Sequence, residues 1–431
     1  MRADLDTIAA AADARVDAGR ANDTARRADY LALALMYVAQ GLPIGLAYHA
    51  LAVLIRAGGH DAAAVGYTGL AFVPWALKFL WAPAIDNACE RHGLPRVLWT
   101  TQIMIVAVCA ALVPFPPAVS LPASLTLVVL MNALCATQDI VTNAYAVRTM
   151  QGRAAGAANA IQVAGFIVGM LAGGGGLLVL SAQAGWTFAM TAFAIAMALI
   201  DLPLLFVDTG FAKRGIADAG PAAPRVRLRD VVSGRDFGWA MLLASTFKLA
   251  STATSTLVQP WLIDRGLSLD EIGRLQMSNL CCVALGAVAL GMPLVRRLGC
   301  RRAVKVGIVG AGVSLGAAWM LETRGMFSLL HCHVAFAVQS LFEGAMYVAI
   351  WATLMNWASP ARPGADFTAM QCCESVGSAV ATGAIGMAVA TLGYGAAFAC
   401  AWGLAVPVWG AAFVSVRRIR LHEAGGRPDR V

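Results

Sequence analysis

Three ionisable residues stand in segments that otherwise read as hydrocarbon: Asp139 in "MNALCATQDIVTNAY", Lys248 in "LLASTFKLASTATSTL" and Glu343 in "VAFAVQSLFEGAMYV". A charge at the centre of a membrane-spanning helix costs ~2.5–3.5 kcal/mol on insertion scales, so something must offset it. The chemistry open to such groups is binding of a charged substrate or carriage of a proton. A buried carboxylate holds its proton more readily and can exchange it as water access changes. A structural ion-pair network among the three is the other reading, and both can hold at once.

Helical spacing gathers further polar side chains around each charge. Asn132, Asp139, Thr142 and Asn143 recur at i, i+7, i+10 and i+11, one stripe of a helix, with Gln138 adjoining. Lys248, Ser251, Thr252, Ser255 and Gln259 follow a second stripe, Gln339, Ser340, Glu343 and Tyr347 a third, and Tyr37, Gln40 and Tyr48 a fourth. Asp139 and Glu343 are the expected proton-responsive pair, and Lys248 the counter-charge to an anionic substrate. Tyr37, Tyr48 and Tyr347 would add aromatic contact.

Other groups carry weaker signals. Glu374 shares a face with Gln371 and Ser378, and reads either as cavity edge or as helix-packing glue. Lys78, near the inner end of its segment, is expected to snorkel toward the headgroups. His49 touches the cavity or packs. In "HCH" at 331 to 333 the two imidazoles point about 200° apart on a helix, so no chelate is expected. "AGGGG" at 172 to 176 suits close helix packing, since it lacks the Lys and strand of a phosphate loop.

The elements that position these residues follow from composition. Of 431 residues, 59% are hydrophobic and 13% charged, against about 25% charged in soluble domains. Apolar runs long enough to cross a ~30 Å hydrocarbon layer as helices recur along the chain. Twelve are expected: 30–55, 65–82, 97–114, 123–147, 155–180, 185–206, 237–262, 273–294, 303–321, 328–357, 367–390 and 395–416. The ten Cys fall mostly within these runs and read as small buried hydrophobes.

The net charge of +8 is distributed by topology. With the amino terminus inside, 26 of the 32 Lys and Arg fall in inner segments and four in outer loops. That excess places both termini in the cytoplasm. The division expected is a tail to residue 29, a six-helix bundle over 30–206, a basic linker over 207–236, a second bundle over 237–416 and a tail over 417–431. Short inner loops bearing Asp86, Arg91 and Arg96, and in the second half Arg297 and Arg301, read as gate latches or as plain positive-inside charge.

The halves repeat weakly. "LIRAGGHDAAAVG" resembles "WLIDRGLSLDEIG" with Gly59 and Gly66 matching Gly266 and Gly273, and Gln162 faces Gln371 at nearly the same offset. Two six-helix halves about a basic middle loop resemble a major facilitator transporter. In that fold spans one, four, seven and ten line a central cavity at the bilayer midplane.

At "YVAQGLPIGLAYHALAVLIRAGG", "VGYTGLAFVPWALKFLWAPAIDN" and "CATQDIVTNAYAVR" the chain is similar to one branch of that superfamily. It comprises AmpG-type muropeptide permeases, acetyl-CoA transporters and RhtX/FptX-type siderophore importers, and the wording looks closest to the last. The resemblance implies a monomeric, proton-coupled importer of a pyochelin- or rhizobactin-like ferric siderophore across the bacterial inner membrane. From the residues themselves, the lack of a nucleotide-binding, metal-hydrolase or nucleophile constellation leads to the expectation of no cofactor and no enzymatic activity, and the topological spread of the charge to that of no nucleic-acid partner. Gln138 and Asp139 carry over onto the branch motif, whereas Asn143 stands where the relatives place an Asp. The alternatives are a muropeptide permease, a siderophore exporter and a non-transporting scaffold.

Overall fold

In hydrocarbon each backbone amide must be paired within its own segment, which leaves the helix as the solution for apolar runs of this length. A computed structural model describes residues 27–60, 67–200, 202–205, 225–234, 236–325 and 327–421, and among them the regular structure is all helix. The expected tail up to residue 26, most of the 207–236 linker and the tail beyond 421 lie outside the described residues.

Among the described residues, seven continuous helices are long and apolar enough to span a membrane, and a pair bent by 65°, Tyr67–Leu80 and Ala82–His92, makes an eighth. Three of the seven, Ala155–Leu205, Glu271–Thr323 and Pro363–Arg418, run to 51, 53 and 56 residues. At 1.5 Å per residue each would exceed twice the ~30 Å hydrocarbon layer. Each is interrupted by a glycine in the left-handed region, Gly185, Gly299 or Gly393, with φ of 83°, 73° and 75°. Every one of these helices therefore supplies two spans, which makes eleven, and the helices Phe237–Thr246 and Leu249–Asp264, separated at Phe247 and Lys248, form the twelfth.

The twelve spans are α1 (Arg27–Ala57), α2 (the bent pair, 67–92), α3 (Leu94–Leu112), α4 (Leu121–Thr149), α5 (155–184), α6 (186–205), α7 (237–264), α8 (269–298), α9 (300–323), α10 (Leu329–Trp357), α11 (363–392) and α12 (394–418). Two depart from the expected regular stripes. Span α2 breaks over Lys78–Leu80, and α7 breaks at Phe247 and Lys248.

Glycine sets the closest helix approaches. A Cβ on Gly173 would lie 2.0 Å from the Leu42 carbonyl oxygen, and one on Gly41 2.3 Å from that of Phe166, so α1 and α5 meet backbone to backbone. In the second half Gly377 of α11 sits on the Ser245 carbonyl of α7 in the same way, at 2.0 Å. The "AGGGG" run is part of this packing through Gly173 and Gly174, and it forms a π-helical turn that faces another at Leu46–Ala50.

The apolar cores show how the halves sit. One core joins residues of α1, α2, α4 and α5 to residues of α7, α10, α11 and α12 at the end of the bundle that carries Asp29 and Ile419. Toward the opposite end there are two separate cores, one made of first-half residues and one of second-half residues. The halves are joined at the terminal end and part toward the other, with polar side chains between. Of the cysteines, Cys281 and Cys400 are exposed rather than buried.

Candidate functional site

Between the shared core and the parted end, the charged residues assemble in two clusters. In the first, Lys78 of α2 makes an ion pair with Asp139 of α4, both side chains 4% exposed. Asn143, one turn further along α4, donates to the same Asp139 Oδ2 at 2.9 Å. Tyr37 of α1 donates to Asn143 Oδ1 at 3.2 Å, and Gln40 donates to Thr142 Oγ1 at 2.7 Å. A buried acid thus meets a buried base, and each gains a further hydrogen bond, Asp139 from Asn143 and Lys78 to Gln371, which helps such a pair to be tolerated.

In the second cluster Lys248 stands at the break of α7, 3.3 Å from Glu374 Oε1 of α11. Tyr347 of α10 donates to that oxygen at 3.0 Å, and the Lys248 ammonium lies 4.9 Å from the Tyr347 ring centroid. Phe247 meets the same ring edge-on at 5.5 Å. Glu343, one turn before Tyr347, is half-buried within electrostatic reach of Lys248 and Glu374. Tyr48, 55% exposed, meets Phe72 with the rings tilted by 47° and their centroids 3.7 Å apart, and faces this cluster from the first half.

Span α11 connects the two clusters. Gln371 Oε1 accepts from Lys78 Nζ at 2.6 Å and from Asn143 Nδ2 at 3.2 Å, and Glu374 follows one turn later. Ser378, a further turn on, meets Thr252 of α7 at 3.5 Å. One face of a second-half helix therefore carries a polar ladder from the first half's ion pair to the second half's.

The structure corrects several expectations. Lys78 does not snorkel: it is 3% exposed and holds Asp139. Lys248 is paired with Glu374, so the expected trio of Asp139, Lys248 and Glu343 is two clusters rather than one. Gln138 faces Gln102 of α3 at 2.7 Å, and Asn132 accepts from Trp75 at 3.0 Å; both serve packing within the first half. Ser255 and Gln259 are exposed on α7 beyond the second cluster. Gln162 and Gln339 each hold a buried amide oxygen without a hydrogen-bond partner among the described residues.

Contacts at the terminal end fall mostly on residues other than those expected to form a gate. Asp86 accepts from the backbone N–H groups of Gly364 and Ala365, at 3.1 and 2.8 Å, capping the start of α11. Gln151 donates to the carbonyls of Met355 and Ala358, and Gly152 donates to Asn356 Oδ1 at 2.6 Å. Arg301 donates to the Ile419 carbonyl at 3.3 Å. Arg91, Arg96 and Arg297 are exposed and make no ion pair among the described residues. His331 and His333 bond to Ser328 and to the Leu329 carbonyl at the start of α10.

Lys78 and Glu374 are the members that sequence reasoning undervalued. The signal was present as charge bookkeeping: a buried Asp139 without a base in its own half requires one, and Lys78 is the lysine there.

A profile described as Major Facilitator Superfamily matches residues 31–382. The chain is 27% identical over 355 residues to the anhydromuropeptide permease of Escherichia coli K12, covering 80% of this chain and 71% of that one. It is 23% identical over 317 residues to the putative transporter AmpG 4 of Rickettsia felis, covering 69% and 75%. Among solved structures, a bacterial homologue of the iron transporter ferroportin in an outward-facing state aligns at TM-score 0.68 and 13% identity, over 91% of this chain and 99% of that one. The proton:xylose symporter XylE aligns at 0.67 and 13%, over 92% and 96%. At such identities the structural likeness speaks to the fold.

Proposed function

Because the chain belongs to the Major Facilitator Superfamily, we propose that this transporter moves a sugar–peptide of the anhydromuropeptide class across the bacterial inner membrane, entering the cell by alternating access. The observation that carries the reading is the extended similarity to the E. coli permease, over 80% of this chain. The chemistry of the site agrees with it. A muropeptide presents hydroxyls, amides and groups of both charge signs, and the ladder offers amides at Asn143 and Gln371, both charge signs at Lys248 and Glu374, and an aromatic lip at Tyr48 and Phe72.

The ferric siderophore suggested by sequence wording gains no support from these relatives, and the ferroportin homologue bears on fold alone. The charge distribution favours both termini in the cytoplasm. In that orientation the shared core closes the cytoplasmic end and the parted halves admit solute from outside. Asp139 and Glu343 are the proposed proton-responsive carboxylates.

The test is paired uptake in right-side-out vesicles from a permease-null strain expressing the chain, with labelled anhydromuropeptide and labelled ferric pyochelin offered separately. Accumulation of the muropeptide that a protonophore abolishes supports the reading. Uptake of the siderophore alone reverses the assignment in favour of the iron route, and uptake of neither removes both.

A further inference from the structure

We infer that Gln371 is a positioning residue that makes closure of the terminal end depend on the Lys78–Asp139 pair. Two donors, Lys78 Nζ and Asn143 Nδ2, are shared by two acceptors, Asp139 Oδ2 and Gln371 Oε1. Three corners of this square belong to the first half and the fourth to the second. The donors and acceptors match in number: an ammonium has three hydrogens to give, and an amide oxygen has two lone pairs to receive. Gln371 is neutral, so it contributes acceptance without competing with Asp139 for the charge.

The consequence is mechanical. Parting the halves at the terminal end must withdraw Gln371 from both donors, and a bond to a charged donor is among the stronger ones lost. The bond is available only while Asp139 holds the ammonium in place, since Lys78 has no other carboxylate bonded to it among the described residues. Two turns before Gln371 on the same helix, the N–H groups of Gly364 and Ala365 are held by Asp86. They are natural reporters of closure, because these first-turn amides have no partner within their own helix.

The experiment is hydrogen–deuterium exchange of the full-length protein in detergent or nanodiscs without substrate, read at Gly364 and Ala365. Gln371→Met keeps the length and removes the acceptor; exchange there is expected to rise about ten-fold, the shift corresponding to one charge-assisted bond. Gln371→Glu keeps the reach and the acceptor, and exchange should stay at or below the wild-type rate. In a Lys78→Met/Asp139→Asn background the Gln371→Met effect should shrink to the share carried by Asn143, which a merely local loosening of α11 would not do. Wild-type exchange in Gln371→Met overturns the inference, as does an undiminished rise in the double-variant background. Should Gln371→Met fail to fold, faster exchange in Gln371→Glu overturns it equally.

Discussion

Gln371 and Glu374 lie one turn apart on the same helix yet address opposite halves of the molecule: the first accepts from Lys78 and Asn143, the second from Lys248 and Tyr347. A helix that grips both charged clusters moves with one half and must release the other when the halves rock. Which contacts it releases, and under what charge state, is open to measurement.

Removing one member of the buried first-half pair should be far worse than removing both. Lys78→Met leaves Asp139 without its base and is expected to cost about 3–5 kcal/mol of stability, as broken buried pairs do. Lys78→Met combined with Asp139→Asn should recover most of that, while transport stays absent. Thermal unfolding in detergent beside vesicle uptake separates the two effects.

The second cluster should behave in the opposite way, because its side chains are 29% and 17% exposed. Solvent screening limits the pair's stabilisation to about 1 kcal/mol or less, so Lys248→Met and Glu374→Gln should unfold close to the wild-type temperature. Uptake should nevertheless fall at least ten-fold if the cluster touches substrate. Normal uptake in both variants would restrict it to a packing role.

Helix approach gives a test with a built-in control. Gly377→Ala places a methyl 2.0 Å from the Ser245 carbonyl oxygen and must push α7 from α11, at about 1–3 kcal/mol. Gly175→Ala meets nothing within 4 Å and should be neutral or slightly stabilising, since alanine is the better helix former. Thermal melts of the two variants should therefore differ by several degrees.

Asp86 holds the start of α11, and Asp86→Ala removes the acceptor for two backbone N–H groups at once. A loss of about 1–2 kcal/mol from the closed arrangement is expected, in line with lost helix caps. Labelling of a cysteine placed behind the latch should quicken. Unchanged labelling would assign the latch to Gln151 and Asn356 instead.

Much of the fold was legible because its signals are local. Apolar runs of spanning length act within a few residues of themselves, whereas the breaks at Gly185, Gly299 and Gly393 emerge only in the structure. The site was less legible because a stripe gives the face of a helix but not its neighbour. Asp139 and Asn143 share a stripe and do act together, whereas Gln138, adjacent in sequence, turns to α3. Lys248 lies at a break in α7 that the i, i+3, i+4 spacing assumed to be regular. Lys78 looked like a snorkelling lysine because only the tertiary fold brings Asp139 and Gln371 to its ammonium.

The central claim is that the paired charges between the halves serve transport of a muropeptide-class solute. Its most direct test is initial-rate uptake of labelled anhydromuropeptide into right-side-out vesicles carrying either the wild-type chain or Asp139→Asn at matched expression, across external pH. Wild-type vesicles should accumulate the label with a rate that rises as the external pH falls, and Asp139→Asn vesicles should lose both accumulation and pH dependence. Equal uptake by the two at every pH, or none by the wild type, would contradict the account.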